Sequence, residues 1–115
     1  MDCLFCKIIE GSIPSTKVYE DENVYAFRDI NPIAPVHVLI IPKKHISGAS
    51  EIDSSNSEFV AKIFEAAAKI AKAEGYPDSF RVVTNCGEDA GQTVHHLHFH
   101  LLAGKKMGWS TETGI

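Results

Sequence analysis

Between His96 and Leu102 the chain reads His-Leu-His-Phe-His-Leu-Leu, an alternation with a period of two. In a strand alternate side chains share a face, so His96, His98 and His100 stand on one side and Leu97, Phe99 and Leu101 on the other, with successive imidazoles about 6.5–7 Å apart. The apolar side requires a second layer to cover it. The imidazole side calls for chemistry, because a strand gains nothing from histidine that threonine or valine would not supply better. A strand is therefore expected over Val94 to Leu102. Besides solvated or internally satisfied rings, two sharper readings compete: a metal triad, and a nucleophilic imidazole. Crowded imidazoles repel one another's protons, which keeps a lone pair available near neutral pH. Such a nucleophile needs its other ring nitrogen anchored by a carbonyl or a similar partner. Attack on phosphorus would then divide one displacement into two through a phosphohistidine-type intermediate.

The covering layer is legible between Ser54 and Glu74, where Phe59, Ile63, Ala66 and Ile70 form one helical stripe beside Val60, Phe64, Ala67 and Ala71. Asp53 to Ser57 offers N-cap oxygens, and Gly75 followed by Pro77 signals the end. Upstream, Lys17 to Glu20, Val24 to Arg28 and His37 to Ile41 read as strands, the first two joined by the short loop Asp21-Glu22-Asn23 and paired antiparallel. The prolines of Asn31-Pro32-Ile33-Ala34-Pro35 stiffen the next connection. Phe80 to Thr84 reads as a further strand, and pattern alone leaves open whether Phe5 to Ile9 forms a helical turn. Strands, one long helix, then strands again, without regular βαβ alternation, indicate an α+β domain with the helix on a mainly antiparallel sheet.

At 115 residues, 44% of them hydrophobic, the chain has the size and composition of one domain with a core of its own. The net charge of −4 leaves no basic stripe, so nucleic acid is not an expected partner, although a single small phosphate remains one. No run reaches the ~18 apolar residues of a membrane span, and the first residues lack a basic start and an apolar stretch, so no membrane is expected. Three cysteines, an odd number, favour thiols in a reducing compartment over a disulfide framework. The expected location is cytoplasmic. The loop Asn85 to Thr93, with Gly87 and Gly91, can turn amide N–H groups toward an anion, and Gln92 and Thr93 add neutral donors. A plain glycine turn between strands reads equally well there.

The segment His96 to Leu102 resembles the signature of the histidine-triad (HIT) family, His-apolar-His-apolar-His-apolar-apolar. Asp29-Ile30-Asn31-Pro32, the stretch Ala34 to Ile46, and Asn85 with Gly91-Gln92-Thr93 extend the likeness over nearly the whole chain, toward the Hint-like branch. The resemblance implies one HIT domain over residues 1–115, with a tail from 103. It implies a sheet of about five strands, one long helix, a short N-terminal helix, and a homodimer whose sheets join edge to edge. The implied activity is hydrolysis of purine nucleoside 5'-phosphoramidates, on AMP-like or GMP-like nucleotides, without a metal in the chemistry. His98 would attack the α phosphorus and carry the nucleotidyl group, oriented by the backbone of His96. His100, Asn85, Gln92 and Thr93, with Gly91, would hold phosphate oxygens, Thr93 or a neighbour assisting the departing amine. Asp29 would take the ribose hydroxyls, Ile30 and Phe27 would wall the base, and His37 would support the imidazoles. His100 stands where the nucleotidyltransferase branch carries glutamine, which favours hydrolysis. Dinucleoside polyphosphate cleavage, a nucleotide-binding interaction module and a zinc-held scaffold without nucleotide are the alternatives.

Cys3-Leu4-Phe5-Cys6 has the spacing of half a zinc site. A thioredoxin-like redox motif would require a strand before the cysteines. Family members with this cysteine pair resemble zinc proteins that use the positions of Cys3, Cys6, His45 and His96, so a structural zinc is expected. His96 would then offer the chemistry only its carbonyl. Cys86 reads as a small loop or core residue. His95 and the ending after Met107-Gly108-Trp109 depart from the family pattern, and Trp109 reads equally as a packing residue or a substrate contact.

Overall fold

A computed structural model describes residues 3–108 of the chain; Trp109 and the rest of the ending lie outside the described residues. Helix α1 spans Leu4–Glu10, β1 Lys17–Glu20, β2 Val24–Arg28 and β3 Val36–Pro42. Helix α2 follows at Ser57–Ala73, then β4 at Arg81–Val83 and β5 at Phe99–Ala103. Among the described residues the five strands form one sheet in the order β1-β2-β3-β5-β4, every neighbouring pair antiparallel. This is the α+β arrangement expected from the sequence, and Phe5 to Ile9 is helical.

The central strands are buried on both faces, and their alternation assigns each side chain to a layer. Val36, Val38 and Ile40 of β3 and Phe99, Leu101 and Ala103 of β5 meet α2 through Ile63, Ala66, Ala67, Ile70 and Ala71. The three alanines on that stripe allow the helix backbone to approach the sheet closely. Phe64 departs from the stripe: it is 49% exposed, with its ring edge against Phe99 at 5.7 Å. On the opposite face Tyr25, Phe27, Leu39 and Ile41 pack under Cys3, Phe5 and Ile8 of the α1 segment. Register places Leu39 opposite His100, and Phe27 opposite Leu39, so the imidazole of β5 faces the α1 layer.

Helix α2 stops at Gly75, whose φ of 95° is open to glycine at little cost, with Gly75 N–H donating to Lys72 O and Tyr76 N–H to Ala71 O. At its other end the side chain of the N-cap Asn56 does not cap the helix. Its Oδ1 accepts from Asp53 N–H, while Asp53 accepts from Ser55, so the expected N-cap oxygens build the preceding turn instead.

Two strands are shorter than the sequence predicts. The strand expected over Phe80 to Thr84 is paired only at Arg81–Val83, and the one expected over Val94 to Leu102 begins at Phe99. The second correction has a local cause. Beyond the pair Ile40 and Phe99, Pro42 O accepts from the ring of His96 at 2.9 Å and Leu97 N–H donates to Ile46 O at 2.6 Å. The chain before Phe99 is thereby drawn away from the sheet ladder toward the N-terminal cysteines.

Candidate active site and metal centre

Where β5 gives way to the irregular segment, the imidazoles separate into two environments. His96 is fully buried and turns toward the α1 segment. Its Nδ1 lies 3.3 Å from Cys3 Sγ and 3.6 Å from Cys6 Sγ, and His45 Nδ1 lies 3.4 Å from Cys6 Sγ. The four ligand atoms of Cys3, Cys6, His45 and His96 all fall within 4.8 Å of one another. A tetrahedral zinc with bonds of about 2.3 Å to sulfur and about 2.1 Å to nitrogen needs sulfur and nitrogen about 3.6 Å apart. The quartet fits such an ion. His96 donates Nε2–H to Pro42 O, which fixes Nδ1 as the nitrogen facing the sulfurs, the outer-shell support typical of a ligating imidazole. Burial, then the neighbouring Cys3, pushes the Cys6 thiol up to about 11, so metal binding there would have to displace a proton.

His98 and His100 turn instead toward a cavity of about 380 Å³. Phe27, Arg28 and Leu39 line it from the sheet, Asp29 and Ile30 from just beyond β2, Leu4, Phe5 and Ile8 from α1, Ile13 and Pro14 from the turn that follows, and Thr93 and Val94 from the segment before His95. His98 is anchored as a nucleophile would be. Its Nδ1–H donates to His96 O at 2.8 Å, leaving Nε2 with a lone pair. Its own carbonyl accepts from Thr84 Oγ1 at 2.8 Å, and the edge of Phe5 lies against its ring, centroids 5.1 Å apart. His100 packs beside it, centroids 5.3 Å apart, and its Nδ1 meets His37 Nε2 at 3.0 Å. Burial lowers the pKa of His37, His98 and His100, and His98 and His37 add repulsion at His100, which falls to about 4. All three rings are neutral at pH 7. Arg28, the cation on the cavity rim, is engaged with Glu74 at 2.6 Å.

The structure thus brings together Asp29, Ile30, Phe27, Thr93, His98 and His100, with His37 behind them. Asn85 is half-buried, and neither it nor Gly91 lines the cavity. Gln92 is engaged by protein groups: its Nε2 hydrogens go to Ser47 O and Val94 O, and its Oε1 accepts from Gly87 N–H. Both of its donors are thereby engaged, and the side chain ties this loop to Ser47 of the segment after β3. Cys86 is exposed, as is His95, and neither joins the quartet or the cavity. The apolar wall from α1 and the Thr84 anchor were not anticipated. The repeat Leu4, Phe5, Ile8 was the available signal for the wall.

A larger hollow of about 570 Å³, bounded by Tyr76, Phe80, Arg81 and Lys105 among others, lies by the edge strand β4 and contains none of these imidazoles.

A family model described as the HIT domain matches residues 10–107. The chain is 48% identical over 108 residues to the "14 kDa zinc-binding protein" of Zea mays, covering 92% of this chain and 84% of that protein. It is 43% identical over 108 residues to the "Adenylylsulfatase HINT1" of Arabidopsis thaliana, covering 92% and 74%. Among solved structures, a HIT family hydrolase from Clostridium thermocellum superposes with a TM-score of 0.91 at 54% identity over 96% of each chain. On sequence and on structure alike, the chain belongs to the histidine-triad family and shares the fold of its hydrolases.

Proposed function

We propose that the protein hydrolyses purine nucleoside 5'-phosphoramidates through a nucleotidyl intermediate on His98. The observation that carries this reading is the bond from His98 Nδ1–H to His96 O, which leaves a neutral, oriented Nε2 facing a cavity large enough for a nucleotide. Nε2 attacks the α phosphorus, the P–N bond to the amine breaks, and the departing nitrogen takes a proton from Thr93 or a neighbouring donor. Water then cleaves the histidine–phosphorus bond, releasing nucleoside monophosphate and restoring the neutral ring. His100 supplies an N–H to the phosphoryl oxygens in a site whose arginine is already paired. Asp29 takes the ribose hydroxyls, and Phe27, Ile30, Leu4, Phe5 and Ile8 enclose the base. Zinc, when held by Cys3, Cys6, His45 and His96, supplies structure: it fixes α1 and His96, and the reacting atoms do not touch it.

A homodimer through the β4 edge is in keeping with that strand having one neighbour, β5, in the sheet, and with the exposed Phe64 and Phe80. The cysteines, none in a disulfide, suit a reducing compartment, and among the described residues no helix is long and apolar enough to cross a membrane.

The test is AMP release from adenosine 5'-phosphoramidate, with wild type and His98→Ala matched for folding and zinc content and sized in solution. Wild type should run as a dimer and turn over, and the variant should lose at least about a thousandfold in rate, as expected for removal of a covalent nucleophile. Equal rates in the two would overturn the assignment. A second reading, hydrolysis of adenylyl sulfate, is favoured by the Arabidopsis relative's name. It uses the same attack with sulfate departing, and competition between the two substrates ranks them.

A further inference from the structure

Asp29 lies just beyond β2 with its carboxylate divided between two tasks. Oδ1 accepts from Asn31 N–H at 2.8 Å, while Oδ2 lies 3.4 Å from Nε2 of His37, whose carbonyl accepts the Asp29 N–H at 3.0 Å. His37 is 2% exposed, so its protein contacts decide where its hydrogen resides. The Ile33 N–H, in the proline-bounded loop, donates to His37 Nδ1 at 3.2 Å. An amide N–H can only donate, so Nδ1 holds a lone pair and the neutral ring carries its hydrogen on Nε2. That hydrogen meets His100 Nδ1 at 3.0 Å, which makes Nδ1 of His100 an acceptor and leaves the hydrogen of His100 on Nε2.

The same contacts disfavour a metal here. Asp29, His37 and His100 place three ligand atoms within 4.8 Å of one another. A metal on His37 Nε2 would move that ring's hydrogen to Nδ1, directly against the Ile33 N–H. The trio is built as a hydrogen-bond relay.

We propose that Asp29, acting through His37, is a positioning residue for His100, coupling recognition of sugar hydroxyls to the hydrogen-bonding state of the reacting strand. The inference rests on the reading that Asp29 receives a ribose. Nε2–H of His37 has two acceptors, His100 Nδ1 at 3.0 Å and Asp29 Oδ2 at 3.4 Å. A ligand hydroxyl donating to Oδ2 weakens that oxygen's hold on the hydrogen, which then goes wholly to His100 and keeps its Nε2–H directed at the phosphoryl group. A deoxy sugar leaves the hydrogen divided. Discrimination against it therefore falls on kcat as well as on KM.

Two measurements decide this. In wild type, kcat for the 2',3'-dideoxy phosphoramidate should lie about tenfold below that for the ribonucleotide, the effect of roughly one hydrogen bond. In Asp29→Asn the amide nitrogen replaces the competing acceptor, and the ratio of the two kcat values should fall toward one. Long-range 1H–15N spectra of the imidazoles, which respond to tautomer and not to general loosening, should place the hydrogens of His37 and His100 on Nε2. The His37 Nε2–H signal should move when ribonucleoside monophosphate is added, and less so with the dideoxy compound. A penalty confined to KM, or a hydrogen on Nδ1 of His100, overturns the relay. Should no phosphoramidate turn over, the hydrolase reading falls and the spectra alone decide: an Nε2 hydrogen on both rings that responds to Asp29→Asn upholds the relay, and any other pattern overturns it.

Discussion

The two histidines at either end of His96-Leu97-His98 do unlike work because their Nδ1 atoms meet unlike partners. Nδ1 of His96 faces two sulfurs, whereas Nδ1–H of His98 is held by the carbonyl of His96 itself. Their residue types, and their placement on a face opposite Leu97, Phe99 and Leu101, are legible in the alternating pattern. The bonds from Ile33 N–H to His37 and from Thr84 to the His98 carbonyl are not, because each uses a main-chain group and depends on a register no side-chain pattern reports. Gln92 shows the same limit. Its amide suits a phosphate as well as a carbonyl, and only its surroundings choose. Gln92→Ala strands Ser47 O, Val94 O and Gly87 N–H together, so it should cost about 2–3 kcal/mol of stability. Urea unfolding measures this, and nucleoside monophosphate affinity, measured below the transition, should stay within about threefold of wild type if no phosphate contact is lost. A large loss of affinity at unchanged stability would instead mark Gln92 as a phosphate contact.

Helix α1 has seven residues, too short to hold itself together in water, and its stability comes from what it is attached to. Cys3 caps it by accepting Cys6 N–H at 3.4 Å, and the same two thiols face His45 and His96. Phe5 and Ile8 then pack in the layer of Phe27 and line the cavity beside it. Chelating zinc should therefore loosen one wall of the nucleotide cavity while the sheet persists. With zinc at about 100 times its dissociation constant the linkage amounts to about 2.7 kcal/mol, or a fall of roughly 10 °C in Tm for a chain of this size. Calorimetry checks the fall. Hydrogen exchange should show the lost protection concentrated at Leu4–Glu10, and uniform loss across β3 and β5 would show zinc supporting the whole sheet instead. Strand Val94 to Leu102 and helix α2 mark the contrast in legibility. The helix, whose partners are apolar and interchangeable, follows its pattern closely, and the strand is cut short where its residues find specific polar partners outside the ladder.

For the molecule as a whole, the buried imidazoles make folding sensitive to acid. Burial holds His37 and His100 below the ordinary value near 6.5, His100 at about 4, and the unfolded chain binds protons first. Their contribution to stability is thus fully present above about pH 6.5 and declines as the pH falls toward 4. His100 alone, neutral until about pH 4 instead of 6.5, accounts for about 3 kcal/mol of that loss. The urea midpoint should fall steadily from pH 7 to pH 4.5, and less steeply in His100→Asn. Equal slopes in the two proteins would mean that carboxylates, not the triad, set the acid limit.

From the sequence by itself come the α+β class, the helix that covers the sheet, the imidazole alternation and the spacing of the two cysteines, because each rests on periodicity or on a short local motif. The family resemblance adds the roles of Asp29, His37, His45 and Thr93 as expectations. Only the tertiary structure decides how the ring of His96 is oriented between Pro42 O and the cysteines, that Gln92 is engaged by Ser47 and Val94, and that α1 completes the cavity. Those outcomes depend on which polar group first meets a partner once the chain is folded. That competition is settled by distances of about 3 Å between residues as far apart as Cys3 and His96, which lie together only in the folded molecule.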